Sequence, residues 1–307
     1  MMEIDVIGVP LWEGSGRIGP QTGPAVLIAD GLEERIARQG HHCRSCEVMA
    51  DPTPSDLDEA DLLYYAPTVM ECCKELEKRV DRSLTQGGFP LVVGGDHALA
   101  IGSLSGVNHH IPAEDLTVIW VDAHTDINTD ASSDSHHIHG MPVAACLGLG
   151  DDRLIDGFGK DRIKILPQNL FYIGARSVDD GEWEILKEHN IRVYTMEEVK
   201  ERGMSAVVNE IVSNLKTPWL HVSFDVDFMD ADEFSATGLP IPDGPSVDDT
   251  RLCLTTLLSC GKVSSMDFVE YNPRWDHEDK GLKVCSGLME DCLKALNNET
   301  QHPVCQG

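Results

Sequence analysis

Seven short runs of apolar, mostly β-branched residues recur along the chain and dominate what it can fold into. They are EIDVIGV near the start, FPLVVGG at 89–95, LTVIWVDAH at 116–124, NLFYIGA at 169–175, IRVYT at 191–195, WLHVSFDVD at 219–227 and VSSMDFVE at 263–270. Most are near-continuously apolar rather than alternating, the pattern of parallel strands covered on both faces. Between them, 24–38 (opened by Pro24), 182–189 and 196–215 show the three-and-four apolar recurrence of helices. Strand–helix alternation over all 307 residues predicts one domain, 1–307, of α/β class with a parallel sheet. The stretches 129–137 and 228–245 read as loops.

Several runs end in ionisable residues. GGDH delivers Asp96 and His97, VIWVDAHTDINT delivers Asp122, His124, Asp126 and Asn128, SFDVD delivers Asp225 and Asp227, and DFVE delivers Glu270. Ligands of open α/β sheets bind beyond the carboxyl ends of the strands, so two histidines and at least five carboxylates are predicted to share one sheet edge. A single Asp after a strand is most often a helix N-cap, and Asp96 taken alone fits that role. The group does not. So many carboxylates would repel one another and raise each other's pKa values unless a multivalent cation sat among them. On extended backbone the spacing of DxHxD and DxD points alternate side chains the same way, which suits carboxylates shared between two ions. Oxygen ligands with a minority of imidazole favour Mn2+ or Mg2+ over structural zinc, and a close pair of such ions activates water for attack.

Composition narrows the partners. A formal charge of −28, from 24 Lys and Arg against 52 Asp and Glu, argues against non-specific nucleic-acid binding and against a polybasic membrane patch. The start, MMEIDVIGVP, lacks the basic and long apolar regions of a signal peptide, and no run of about 18 apolar residues could span a bilayer. Ten scattered cysteines read as reduced thiols, so a cytoplasmic protein is expected. Cys43 and Cys46 have CxxC spacing, a weak metal signature without a second such pair. Cys72 and Cys73 read as structural, Tyr64 and Tyr65 as packing on an amphipathic helix, His41 and His42 as surface residues, and His109 and His110 as a loop after a helix. VVGGDH has neither the Lys-Ser/Thr of a P-loop nor GxGxxG spacing.

VVGGDHALAIGSL, VDAHTDINT and SFDVDFMD resemble the three metal-binding signatures of the ureohydrolase superfamily: arginases, agmatinases and formimidoylglutamases. They occur in the family's order, and GRIGPQTGPAVLIADGL and FVEYNP extend the resemblance over essentially the whole chain. It implies a three-layer α/β/α ureohydrolase fold and a dinuclear Mn2+ site that generates a bridging hydroxide to attack a guanidinium or formimino carbon. Carried over residue by residue, one ion would take His97, Asp122, Asp126 and Asp225, and the other Asp122, His124, Asp225 and Asp227. Asp122 and Asp225 would bridge, and Asp126 would also orient the hydroxide. His139 matches the family's proton-shuttling loop histidine, and Glu270 the carboxylate that pairs with the guanidinium. The resemblance also implies homo-oligomers, trimers or hexamers.

The far end of the substrate separates the branches. HGMPVAACLGLG and YIGARSVDDGE resemble the arginase branch, where positions 179 and 182, here Asp179 and Glu182, bind the substrate α-amino group. Asn128, Ser135 and His137 stand where arginases contact the α-carboxylate, His137 in place of an asparagine and His136 in place of a glycine. Leu239 stands where a threonine is expected near Glu270, Asp243-Gly244 replaces a Gly-Gly, and Phe228 and Met229 add bulk beside the ligands. The matches favour hydrolysis of L-arginine to L-ornithine and urea. The alternatives are an agmatinase, guanidinobutyrase or formimidoylglutamase, or a non-catalytic metal-binding homologue.

Overall fold

The computed structural model describes residues 1–58 and 60–296. Eight strands form one sheet: β1 Glu3–Val9, β2 His42–Val48, β3 Phe89–Gly94, β4 Leu116–Val121, β5 Leu170–Ala175, β6 Arg192–Thr195, β7 Trp219–Asp225 and β8 Val263–Val269. Their order is β2-β1-β3-β8-β7-β4-β5-β6, and every pairing is parallel. Among the described residues the α-helices are α1 Gly23–Ala29, α2 Leu32–Arg38, α3 Ala66–Thr85, α4 Ala100–Asn108, α5 Pro142–Cys146, α6 Asp152–Ile155, α7 Asp180–Glu188, α8 Met196–Arg202, α9 Met204–Asn214, α10 Val247–Leu258 and α11 Lys280–Ala295.

The apolar runs are explained by the layers. Along β4, Val118 and Trp120 pack into the cluster formed with α3, α4, α5 and α7, whereas Ile119 and Val121 pack into the one formed with α2, α9, α10 and α11. Successive strand residues point to opposite faces, and both faces are covered, so both sets of positions are mostly apolar. The three-layer α/β/α expectation holds. The strands whose ends carry ionisable residues, β3, β8, β7 and β4, are neighbours in the middle of the sheet.

Some local expectations are corrected. Strand β2 (HCRSCEV) escaped notice because it is an edge strand bonded only to β1 and carries polar residues such as His42, Arg44 and Glu47. The helix expected over 24–38 breaks at Gly31 (φ 86°), and that over 196–215 breaks at Gly203 (φ 86°). Apolar periodicity continues across both breaks, which is why it reads as one helix. His41 is buried, accepting from the Met2 amide at Nδ1 and bonding the Leu293 carbonyl through Nε2. Tyr64 and Tyr65 precede α3 rather than packing on it, and the Tyr64 ring stands edge-on to His136 and His137. Cys72 and Cys73 are both buried on α3, and Cys43 and Cys46 are half-buried free thiols.

At the β1–β2–α3 junction, buried Asp5 accepts hydrogen bonds from Arg44, Ser45 and Ser83. Burial alone would raise its pKa, but Arg44, Ser83 and Ser45 together hold it below the ordinary 3.8. A depressed carboxylate stabilises the fold above its unfolded pKa and loses that contribution as pH falls through the folded value. Asp5→Asn is expected to cost about 2 kcal/mol in chemical unfolding at pH 7. The difference from wild type should shrink as the pH is taken below about 3.8.

Candidate metal centre and substrate cleft

The local chain geometry forces the strand ends together. Gly95 passes so close to β1's exit that a Cβ there would lie 1.8 Å from the Leu11 carbonyl oxygen, so only glycine fits. Its amide donates to Val9, the Asp96 amide to Leu11, and the Glu270 amide to the Gly95 carbonyl. The ends of β1, β3 and β8 are thereby stitched side by side. Asp96 does act as a cap, accepting from the Ala98 and Ser15 amides. Burial and then Glu270 push its pKa up to about 7.

His97 Nδ1 is buried and faces carboxylate oxygens of Asp122, Asp126 and Asp225 at 3.1, 3.2 and 3.3 Å, with no hydrogen-bond partner aligned on it. Its ring stacks on Trp120 at 4.0 Å, and the Trp120 indole donates to Asp122 Oδ2. His124 Nδ1 lies 3.1 Å from Asp227 and 3.5 Å from Asp122. Two groups have ligand atoms all within 4.8 Å: His97, Asp122 and Asp225, and Asp122, His124 and Asp227. They share Asp122. Asp126 completes the first through His97.

The electrostatics suit a bound cation. Burial first, then Asp227 and Asp122, raise Asp225 well above the carboxylate range, and burial pushes Asp227 up to about 6. Asp126 is raised by burial and then by Asp122. Burial disfavours charge on His97 and His124, yet the surrounding carboxylates outweigh it and raise both. Buried carboxylates that repel, around an imidazole nitrogen lacking a partner, fit a bound hard cation.

Two of these residues sit in strained backbone. Asp126 (φ 49°) and Glu270 (φ 67°) adopt the left-handed region, at a cost of order 1–3 kcal/mol each. His136 (φ 57°) does so too, which explains why a glycine is expected there; histidine bears the cost of that backbone.

A cleft opens over the cluster, lined by His124, Asp126, Asp225, Asp227, His139 and Glu270 together with Asn128, Ser135, Asp179 and Glu182. His139 Nδ1 lies 3.5 Å from Glu270, whose hydrogen bond and charge raise the histidine's pKa against burial. Asn128 donates to Asp179. Glu182 is more enclosed: its oxygens accept from the Asp179 and Ile127 amides, and burial pushes it up to about 7.

His137 is not brought to the cleft wall. Its ring lies against Gly16 and edge-on to Tyr64 and His139. Phe228 and Met229 add no bulk to the cleft, because both side chains are buried in the layer beneath. Asp243 is remote, paired with Lys200. Leu239 does line the wall. So do Arg17, Ser133 and Ser177, which sequence reasoning passed over because no pattern of paired charges marks them. Arg176 was also missed as an organiser. It donates to the carbonyls of Asp227, Phe228, Met229, Ile241 and Pro242, fastening the loop that carries Asp227 and Leu239.

An ion held at about 100 times its dissociation constant stabilises a fold by about 2.7 kcal/mol. Thermal unfolding with Mn2+ against chelator should show such a gain in wild type and lose most of it in Asp225→Asn. The ion-free variant should be no less stable than ion-free wild type, since one repelling carboxylate is gone. An undiminished Mn2+ gain in Asp225→Asn would contradict the ligand assignment.

Comparison with known proteins agrees with this site. The arginase family model matches residues 2–294. The arginase of Bacillus subtilis (strain 168) is 36% identical over 295 residues, covering 94% of this chain and 97% of its own. The solved Bacillus caldovelox arginase superposes with a TM-score of 0.91 at 36% identity, over 95% of this chain and 98% of its own. The Entamoeba histolytica arginase, solved with L-ornithine, superposes with a TM-score of 0.85 at 29% identity, over 96% and 98%. By its fold, its strand-end cluster and these relatives, the chain belongs to the arginase family of ureohydrolase enzymes.

Proposed function

We propose that this enzyme hydrolyses L-arginine to L-ornithine and urea with two Mn2+ ions per subunit. One observation carries the reading: members of both overlapping His/Asp groups and the His139–Glu270 pair line a single cleft together with Asn128, Ser135 and Asp179. His97, Asp122, Asp126 and Asp225 would hold one ion, and Asp122, His124, Asp225 and Asp227 the other. When bound, the ions would supply a strong nucleophile from water at neutral pH, which a resonance-stabilised guanidinium requires.

The chain's own groups do the rest. Glu270 would pair with the substrate guanidinium through parallel hydrogen bonds. Asp126 would accept the hydrogen of the attacking water and so aim its lone pair at the guanidinium carbon. As the carbon–nitrogen bond breaks, His139 would give its proton to the departing amine, a role suited to a histidine whose pKa is raised by Glu270. Asp179 would hold the α-amino group, with Glu182 buttressing Asp179 and the Ile127 amide. Asn128 and Ser135 would hold the α-carboxylate. The reading extends to a chain working as one domain within a homo-oligomer, trimer or hexamer, in the cytoplasm, where the nine free thiols among the described residues suit a reducing compartment.

The test is urea release with Mn2+ from arginine, agmatine, guanidinobutyrate and formiminoglutamate in parallel. Arginine should be turned over best. Preference for another member would place the chain in a different branch, and no turnover of any would support the non-catalytic alternative. His139→Asn should lower kcat by a factor of about 10^2–10^4 with little change in bound metal. His137→Asn should leave arginine turnover within about threefold of wild type, because the ring lies outside the cleft wall.

A further inference from the structure

Beneath the metal centre lies a buried polar chain that none of the roles above uses. His97 Nε2 is 2.8 Å from Ser223 Oγ, and Ser223 Oγ donates to Asp267 Oδ2 at 3.4 Å. The same oxygen accepts from Ser103 Oγ at 2.6 Å and meets His221 Nε2 at 3.2 Å, while His221 Nδ1 is 2.8 Å from Ser265 Oγ. Asp267, His221 and Ser223 are wholly buried, and Ser103 and Ser265 nearly so. Such a cluster within a sheet otherwise lined by Val, Phe and Trp is costly unless it does something.

The polarity of the chain follows from donor counting. A carboxylate only accepts, whereas a serine hydroxyl has a single hydrogen. With that hydrogen committed to Asp267, Ser223 presents only lone pairs to His97, so Nε2 must carry the hydrogen. Nδ1 is then the nitrogen left free for an ion, and it is the one that faces Asp122, Asp126 and Asp225. We propose that Asp267 is a positioning residue which, through Ser223, fixes the tautomer and ring orientation of His97 for metal binding. His221 is held in the same sense, donating to Asp267 from Nε2 and accepting from Ser265 at Nδ1.

The proposal rests on His97 being a ligand, and it makes a prediction that mere core support does not. Asp267→Asn keeps the shape but can place an amide N–H against Ser223, turning the serine hydrogen toward His97 Nε2 and favouring the wrong tautomer. Calorimetric titration of the ion-free full chain with Mn2+, with bound metal counted by plasma mass spectrometry, separates the two sites. Loss of such an outer partner typically weakens metal binding 10–100-fold. Asp267→Asn should weaken one of the two ions by about that factor and leave the other within about threefold. Ser223→Ala removes the link without reversing it, so it should weaken the same ion by a smaller factor. Ser103→Ala, which touches Asp267 but not His97, should bind both ions as wild type does.

Three outcomes would overturn the proposal. One is wild-type affinity for both ions in Asp267→Asn. Another is equal weakening of both ions in step with a lower ion-free unfolding temperature. Should Asp267→Asn not fold, Ser223→Ala decides, and unchanged binding of both ions there is the third. Failure of wild type itself to bind Mn2+ would instead remove the ligand reading on which the proposal stands.

Discussion

Mutual repulsion among buried carboxylates at one sheet edge is the constraint on which the rest of this structure depends. Asp122, Asp126, Asp225 and Asp227, with Asp96 and Glu270 close by, are all at most 7% exposed. No arrangement of backbone amides neutralises that much charge in a dry interior. The chain offers two imidazoles, and their pKa values rise because they serve as makeshift counter-ions. A bound cation would do the same more completely, and the Asp/His cluster is able to hold one. Central position in the sheet, the Gly95 close approach and the Arg176 clamp on the following loop all hold these oxygens at fixed separations.

The same edge concentrates backbone strain. Asp126 and Glu270, proposed to aim the nucleophile and hold the guanidinium, are left-handed non-glycine residues. The Asp126 carbonyl accepts from the Val143 amide, and Glu270 is tied by its amide to Gly95 and by its carboxylate to the His97 amide. Those bonds over-determine conformations that isolated residues avoid, so the strain is stored where orientation matters. The two apolar layers supply the stability that offsets it.

Much of this was legible in the sequence, for identifiable reasons. Strands buried on both faces write continuous apolar runs, and the residues of the His/Asp cluster follow such runs directly, so both the fold class and a cluster able to hold metal could be read from the chain. What escaped depended on tertiary context. Strand β2 lies at the edge, where half-exposed backbone tolerates His42, Arg44 and Glu47. Gly31 and Gly203 interrupt helices without interrupting their apolar periodicity. Phe228 and Met229 follow a ligand in sequence yet turn into the layer below, and His137 follows the loop pattern yet turns toward Gly16. The Asp267–Ser223–His97 chain joins three different segments, and no spacing rule connects them.

The most direct test of the central claim is anomalous diffraction at the manganese edge from crystals of the Mn2+-loaded protein. The expected result is two anomalous peaks a few Å apart within the cluster, both contacted by Asp122 and Asp225, one also by His97 and Asp126 and the other by His124 and Asp227. Peaks absent from this cluster, or lying against other side chains, would contradict the reading of these carboxylates as a dinuclear metal site.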